Sequence, residues 1–156
     1  MLYNASIYIV EQLQHYIMLR IKSCGTMSRF VVHISLIKNN KIYIDGSHNP
    51  LGASVLSKHL NSLECNKHII LGMMNNKNHK DYISYFNNIS SLTTIDIPNQ
   101  PNAIKGAELK NKLNYIQNIN YKNSIEEALK SISLGKDDVV LITGSLYLAG
   151  EVLNLN

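Results

Sequence analysis

Apolar residues along the chain change their spacing several times, and each change marks an element. Over residues 3–21, Ile7, Ile9, Val10, Leu13, Ile17, Met18 and Leu19 fall between polar positions, with Asn4 placed as an N-cap before Ala5. That pattern predicts a helix, and Cys24 to Ser28 breaks it. Residues 29–35 are rich in β-branched side chains, turn chemistry occupies 38–41, and Ile42 and Ile44 follow, so a hairpin is expected. The apolar alternation stops at Asp45, Gly46 permits a sharp bend, and Pro50 suits the first turn of a helix, where its missing N–H is no loss. Behind it Leu51, Val55, Leu56 and Leu60 recur at helical spacing and are expected to face the core.

The rest of the chain alternates in the same way. A short apolar strand is predicted at 67–72, then a polar loop, then a helix over 79–89 whose buried face is Tyr82, Tyr85, Phe86 and Ile89. Residues 92–97 form another β-branched run closed by Pro98, residues 103–113 are weakly helical, and 115–119 suit a short edge strand. Asn123 and Ser124 suit a cap for a helix turning Ile125, Ala128, Leu129 and Ile132 inward, with Glu126 and Lys130 spaced i,i+4 on its surface. Residues 138–144 are apolar on both faces, which makes the strand central, and a helix begins at once at Ser145. Strands alternating with helices imply a largely parallel sheet covered on both faces, and no internal repeat interrupts the series.

Length and composition narrow the picture. A chain of 156 residues is one domain's worth and large enough to bury a core. The net charge of +4 is mild and its lysines are scattered, which suits anionic ligands and argues against a nucleic-acid groove. Asn, Lys and Ile are abundant, a sign of coding bias more than of chemistry, and Asn75 to Asn78 reads as loop. Cys24 and Cys65 lie in no metal-ligand spacing and are expected as reduced structural thiols. Glu11, Gln12, Gln14 and His15 interrupt the amino-terminal apolar series, so neither a membrane span nor a cleavable signal fits, and a cytoplasmic location is expected. His15, His33, His59, His68 and His79 show no ligand spacing, and no metal site is expected.

Candidate chemistry concentrates in two turns. Asp45, Ser47, His48 and Asn49 stand between a strand's carboxyl end and a helix's N-terminus, where open α/β sheets bind ligands. A plainer reading stands beside this one, in which Asn49 caps the helix and Asp45 is an ordinary turn residue. The second turn runs from Thr143 to Ser145. No Gly-x-Gly-x-x-Gly follows any strand, Gly46 and Gly52 are too far apart to form one, and there is no Walker phosphate loop.

Three segments together resemble the carboxyl-terminal domain of the folylpolyglutamate synthase and dihydrofolate synthase family, within the wider group of Mur-type amide ligases. Asp45-Gly-Ser-His-Asn-Pro50 is similar to the family's Asp-Gly-Ala-His-Asn-Pro signature. Leu71-Gly-Met-Met-Asn-Asn-Lys-Asn78 resembles its Gly-Met-Leu-x-Asp-Lys-Asp loop, and Thr143-Gly-Ser-Leu-Tyr-Leu148 its closing Gly-Ser-Leu-Tyr signature. The resemblance runs from about Arg29 to the end, with Asn4-Ala-Ser6 similar to the Asn-Ala-Ala start of a helix that ends the family's preceding domain. It implies an α/β, Rossmann-like three-layer domain with a mostly parallel sheet and an N-terminal helix plus hairpin. Residues 1–25 would be the remnant helix of the central ATPase domain and 26–156 the Mur ligase-type C-terminal domain.

The resemblance also implies a reaction. Family enzymes use ATP with magnesium to phosphorylate a pteroate or folate carboxylate, and the amino group of L-glutamate attacks the acyl phosphate. Asp45, Arg29 and Asn4 would then be nucleotide contacts, and His48, Asn49, Ser145, Tyr147 and Lys77 would meet glutamate or the facing domain. For Ser145 the plainer alternative is a helix cap, for Tyr147 core packing, and for Lys77 simple solvation. Neither Gly-Lys-[Ser/Thr] nor an acidic metal cluster occurs in these residues, so no catalytic residue is assigned within the chain. On that reading the isolated chain is inactive and a separate chain carrying the N-terminal domain is an expected partner. The alternatives are a non-catalytic nucleotide- or amino-acid-binding module, or an inactive gene remnant.

Overall fold

The computed structural model describes residues 35–37 and 42–153. The expected helix over 3–21, the start of the hairpin and its turn, together with Asn4, Cys24 and Arg29, lie outside them. Among the described residues six strands, β1 (Ser35–Ile37), β2 (Ile42–Ile44), β3 (Asn66–Leu71), β4 (Ile89–Ile95), β5 (Ile119–Lys122) and β6 (Asp138–Thr143), form one sheet in the order β1-β2-β6-β3-β4-β5. β1 pairs antiparallel with β2, so the hairpin forms, and every other pairing is parallel. Five helices among the described residues connect and cover them: α1 (Pro50–Asn61), α2 (His79–Ser84), α3 (Gly106–Lys112), α4 (Ile125–Ser131) and α5 (Leu146–Leu153).

The period of two along each strand sorts the core into two layers. Tyr43, Ile69, Leu71, Val139 and Leu141 pack with Ala53, Leu56 and Leu60 of α1, Tyr82 and Ile83 of α2 and Leu109 of α3. Ile42, Ile44, Ile70, Val140 and Ile142 point the other way, onto Ile125 and Ala128 of α4 and Leu148 and Val152 of α5. The strand read as apolar on both faces is indeed central: β6 lies between β2 and β3 and is buried from Val139 to Thr143. The helices after β2 and β3 therefore leave toward one layer, and the helix after β6 leaves toward the other. Neighbouring strands whose connections diverge open a crevice at their carboxyl ends, which here flanks β6.

Several expected details are corrected. On α1, Leu51 and Val55 are 59% and 47% exposed, while Ala53, Leu56, Ser57 and Leu60 are buried. Apolar residues outnumber the stripe the sheet can cover, and the series 53, 56, 57, 60 is the one that meets it. α2 ends at Ser84, Tyr85 is surface-facing, and Ile89 opens β4 instead of extending the helix. Asn88, at φ 54°, turns the chain in between. The edge strand lies at Ile119–Lys122, not 115–119, because Asn118 at φ 56° turns the chain just before Ile119 pairs with Leu92. The i,i+4 ion pair that closes is Glu108–Lys112 on α3, at 3.1 Å. Cys65 is a free, half-buried thiol packed against the first layer. Among the described residues, no helix is long and apolar enough to cross a membrane.

Candidate ligand rim at the carboxyl end of the sheet

Three turns leave β2, β6 and β3 side by side, and backbone hydrogen bonds join them. Asp45 N–H donates to Ile142 O at 3.0 Å, Gly144 N–H to Ser47 O at 3.1 Å, and Gly72 N–H to Thr143 O at 3.2 Å. The first bond continues the β2–β6 ladder past its last pair, Ile44 with Ile142, and the second crosses between the turns. Leu146 lies over Gly46 so closely that a Cβ at Gly46 would collide with its side chain. Gly144 has φ +107° and its own Cβ would fall 2.7 Å from Gly72 O, so only glycine fits there without strain.

Each expected site residue can now be placed. Asp45 is wholly buried, and its Oδ1 accepts from Ser47 N–H at 2.7 Å, shaping the turn. His48 is half-buried with Nδ1 3.2 Å from Gly46 O. A carbonyl only accepts, so Nδ1 carries the proton in this contact and the neutral ring offers Nε2 as an acceptor. Asn49 is the N-cap of α1 and accepts from Gly52 N–H at 2.8 Å, with Pro50 in the first turn. Ser145 is buried, and its Oγ accepts from Tyr147 N–H at 3.1 Å at the start of α5, so it serves as a helix cap. Tyr147 is 54% exposed, which rules out the core-packing alternative, and Leu146 beside it is exposed as well.

Lys77 is half-buried in the loop after β3. That loop is pinned by Asn75 N–H to Asn102 O at 3.0 Å and by His79, whose Nε2 lies 3.0 Å from Met74 O. Asp45, His48, Asn49, Ser145 and Tyr147 thus share one rim, and the Lys77 loop adjoins it through Gly72. The N-termini of α1 and α5 open on the same rim, and such ends favour anions.

One feature of the rim escapes the apolar pattern. Tyr82, expected only as part of a helix's buried face, has its hydroxyl 2.8 Å from Ser47 Oγ and 2.6 Å from Thr143 Oγ1. Burial pushes its phenol far above the ordinary tyrosine range, so it stays protonated. The available signal was a tyrosine at a core position, since a buried phenol needs a hydrogen-bond partner. An open cleft of about 480 Å3 lies at the other end of the sheet, lined by Glu64, Asn66, Ser90 and Asp137 among others, and shares no residue with the three turns. Among the described residues, no group of His, Cys, Asp and Glu is placed to hold a metal ion.

Sheet order and rim define an open α/β domain with a candidate ligand face at the carboxyl ends of β2, β6 and β3. The family model for the Mur ligase, glutamate ligase domain matches residues 29–146, and the chain belongs to that family. Comparison with curated protein sequences gives no match. Solved structures of similar fold include Mycobacterium tuberculosis folylpolyglutamate synthase complexed with ADP, with a TM-score of 0.71 at 17% identity over 83% of this chain and 32% of that one. Escherichia coli FolC in complex with ADP superposes with a TM-score of 0.68 at 18% identity, over 80% of this chain and 31% of that one. Folylpolyglutamate synthase from Thermotoga maritima gives 0.66 at 23% identity, over 82% and 30%. The chain therefore spans about a third of the length of these enzymes.

Proposed function

We propose that this domain supplies one half of the active cleft of an ATP-dependent folylpolyglutamate or dihydrofolate synthase, which adds L-glutamate to a folate or dihydropteroate through an acyl phosphate. The observation that carries the reading is the joining of all three signature turns at one rim, through the Asp45–Ile142, Ser47–Gly144 and Gly72–Thr143 backbone bonds. Sequence-distant turns that share hydrogen bonds present their groups to one ligand face. The ADP held by the similar structures supports a nucleotide as one occupant.

In this reading Asp45, wholly buried and bonded to Ser47 N–H, holds the turn that faces the nucleotide, and Arg29 and Asn4 add nucleotide contacts. His48, Asn49 and Tyr147 face glutamate or the opposite domain, buried Ser145 holds the start of α5 behind them, and Lys77 reaches the nucleotide or that domain. With Nδ1 committed to Gly46 O, His48 meets a ligand through Nε2. ATP, magnesium and phosphoryl-transfer chemistry belong to a facing phosphate-loop domain, on this polypeptide or another. Exposed Leu51, Leu146 and Tyr147 suit a surface that such a domain covers.

Calorimetric titration of the full chain with ADP and with L-glutamate tests the reading. Binding of at least one is expected, weakened about tenfold by His48→Ala or Asp45→Asn, the scale of one charge-assisted hydrogen bond. Absence of heat for both ligands at millimolar concentration would overturn it.

A further inference from the structure

Three hydroxyls tie the rim together from beneath, in the order Ser47 Oγ, Tyr82 OH, Thr143 Oγ1, at 2.8 and 2.6 Å. Tyr82 comes from α2, beyond the third turn, so one side chain touches the turn after β2 and the end of β6 at once. A phenol has one proton, which it donates to one neighbour while accepting from the other. Both bonds hold only while Ser47 and Thr143 keep a fixed separation.

The two bonded partners are themselves rim residues. Ser47 N–H donates to Asp45 Oδ1, and Ser47 O receives Gly144 N–H, next to the Ser145 cap. We propose that Tyr82 is the positioning residue of this rim, its hydroxyl setting the spacing of the Asp45–Asn49 turn against the Gly144–Tyr147 turn. Its ring does a separable job: it packs against Phe86 with centroids 5.7 Å apart and fills the first core layer, as phenylalanine would. The ligand part of the inference rests on the half-site reading above; the geometric part does not.

Tyr82→Phe in the full chain separates hydroxyl from ring. In the unliganded protein, amide hydrogen exchange should quicken about tenfold at Gly144 and Ser47, the scale of a lost buried hydrogen bond, while β3–β4 amides such as Ile69 hold within about twofold. Ser47→Ala, which removes one end of the chain of hydroxyls, should reproduce the Gly144 effect. ADP affinity should fall about five- to tenfold in both variants. Unchanged exchange at Gly144 and Ser47 overturns the proposal, and so does uniform acceleration across the sheet, which would make the hydroxyl a general stabiliser. Wild-type chain that binds neither ADP nor glutamate sinks the half-site reading, while the exchange comparison still decides the role of Tyr82.

Discussion

Substituting Gly144 by alanine tests how tightly the rim is built. At φ +107° an L-residue is strained, at a cost of about 1–3 kcal/mol. The added Cβ also meets Gly72 O at 2.7 Å and Leu71 Cδ1 and Met73 Cγ at 2.8 Å, all closer than van der Waals contact. Gly72 O is backbone and cannot rotate aside, so overpacking adds about 1–3 kcal/mol. Together the terms destabilise by about 2–6 kcal/mol, against a whole-domain stability of about 5–15 kcal/mol. Urea unfolding followed by circular dichroism reads this directly: with a slope of about 2 kcal/mol per molar, the midpoint falls by roughly 1–3 M. Gly150→Ala is the internal control, because its Cβ meets nothing within 4 Å inside α5 and alanine favours the helix by about 0.5–1 kcal/mol. A Gly144→Ala protein within about 1 kcal/mol of wild type, or no less stable than Gly150→Ala, would refute the close approach of the β3 and β6 turns.

Two further outcomes follow from packing and charge. Leu56→Ala should cost about 2–5 kcal/mol and Leu51→Ala less than about 0.5 kcal/mol in the same unfolding assay, since only the first is buried. Asn66 Nδ2, Gly135 N–H and, more weakly, His68 hold the Asp138 carboxyl below its ordinary 3.8. A depressed carboxyl stabilises the fold above its unfolded value and loses that contribution as pH falls through the folded one. Wild type should therefore lose stability below pH 3.8 more steeply than Asp138→Asn, and parallel acid limbs would contradict the assignment.

Periodicity was a good guide where one face of an element is buried and a poor one where surplus apolar residues compete. It located β2, β3, β6 and the start of α1 closely, because Ile42 and Ile44, Ile69 to Leu71 and Val139 to Ile142 lie on strands buried from both sides. It misassigned the buried face of α1, since Leu51 and Val55 match the helical period as well as Ala53 and Ser57 do. It misplaced the ends of α2 and β5, which are set by Asn88 and Asn118 in the left-handed region. The abundance of asparagine looked like coding bias, yet Asn88, Asn99 and Asn118 hold positive φ and Asn49 and Asn78 cap helices. Side-chain amides tolerate both situations, so a biased composition still fills specific backbone positions.

The candidate site was legible residue by residue but not as an assembly. Nothing in the spacing of positions 45, 72 and 143 says that their strands are neighbours, because strand order is not encoded in hydrophobic period; the motif resemblance carried that information. The structure adds the reason. β6 follows β2 and β3 by far in sequence, yet it inserts between them, and its helix departs to the layer opposite theirs. The signature turns therefore come together only when β6 is in place, through Gly144 N–H on Ser47 O and Thr143 on Tyr82. A rim assembled by direct bonds between its turns has its spacing set before a ligand arrives. Less ordering then remains to oppose binding, which is the condition under which a few polar contacts suffice to hold a nucleotide or an amino acid.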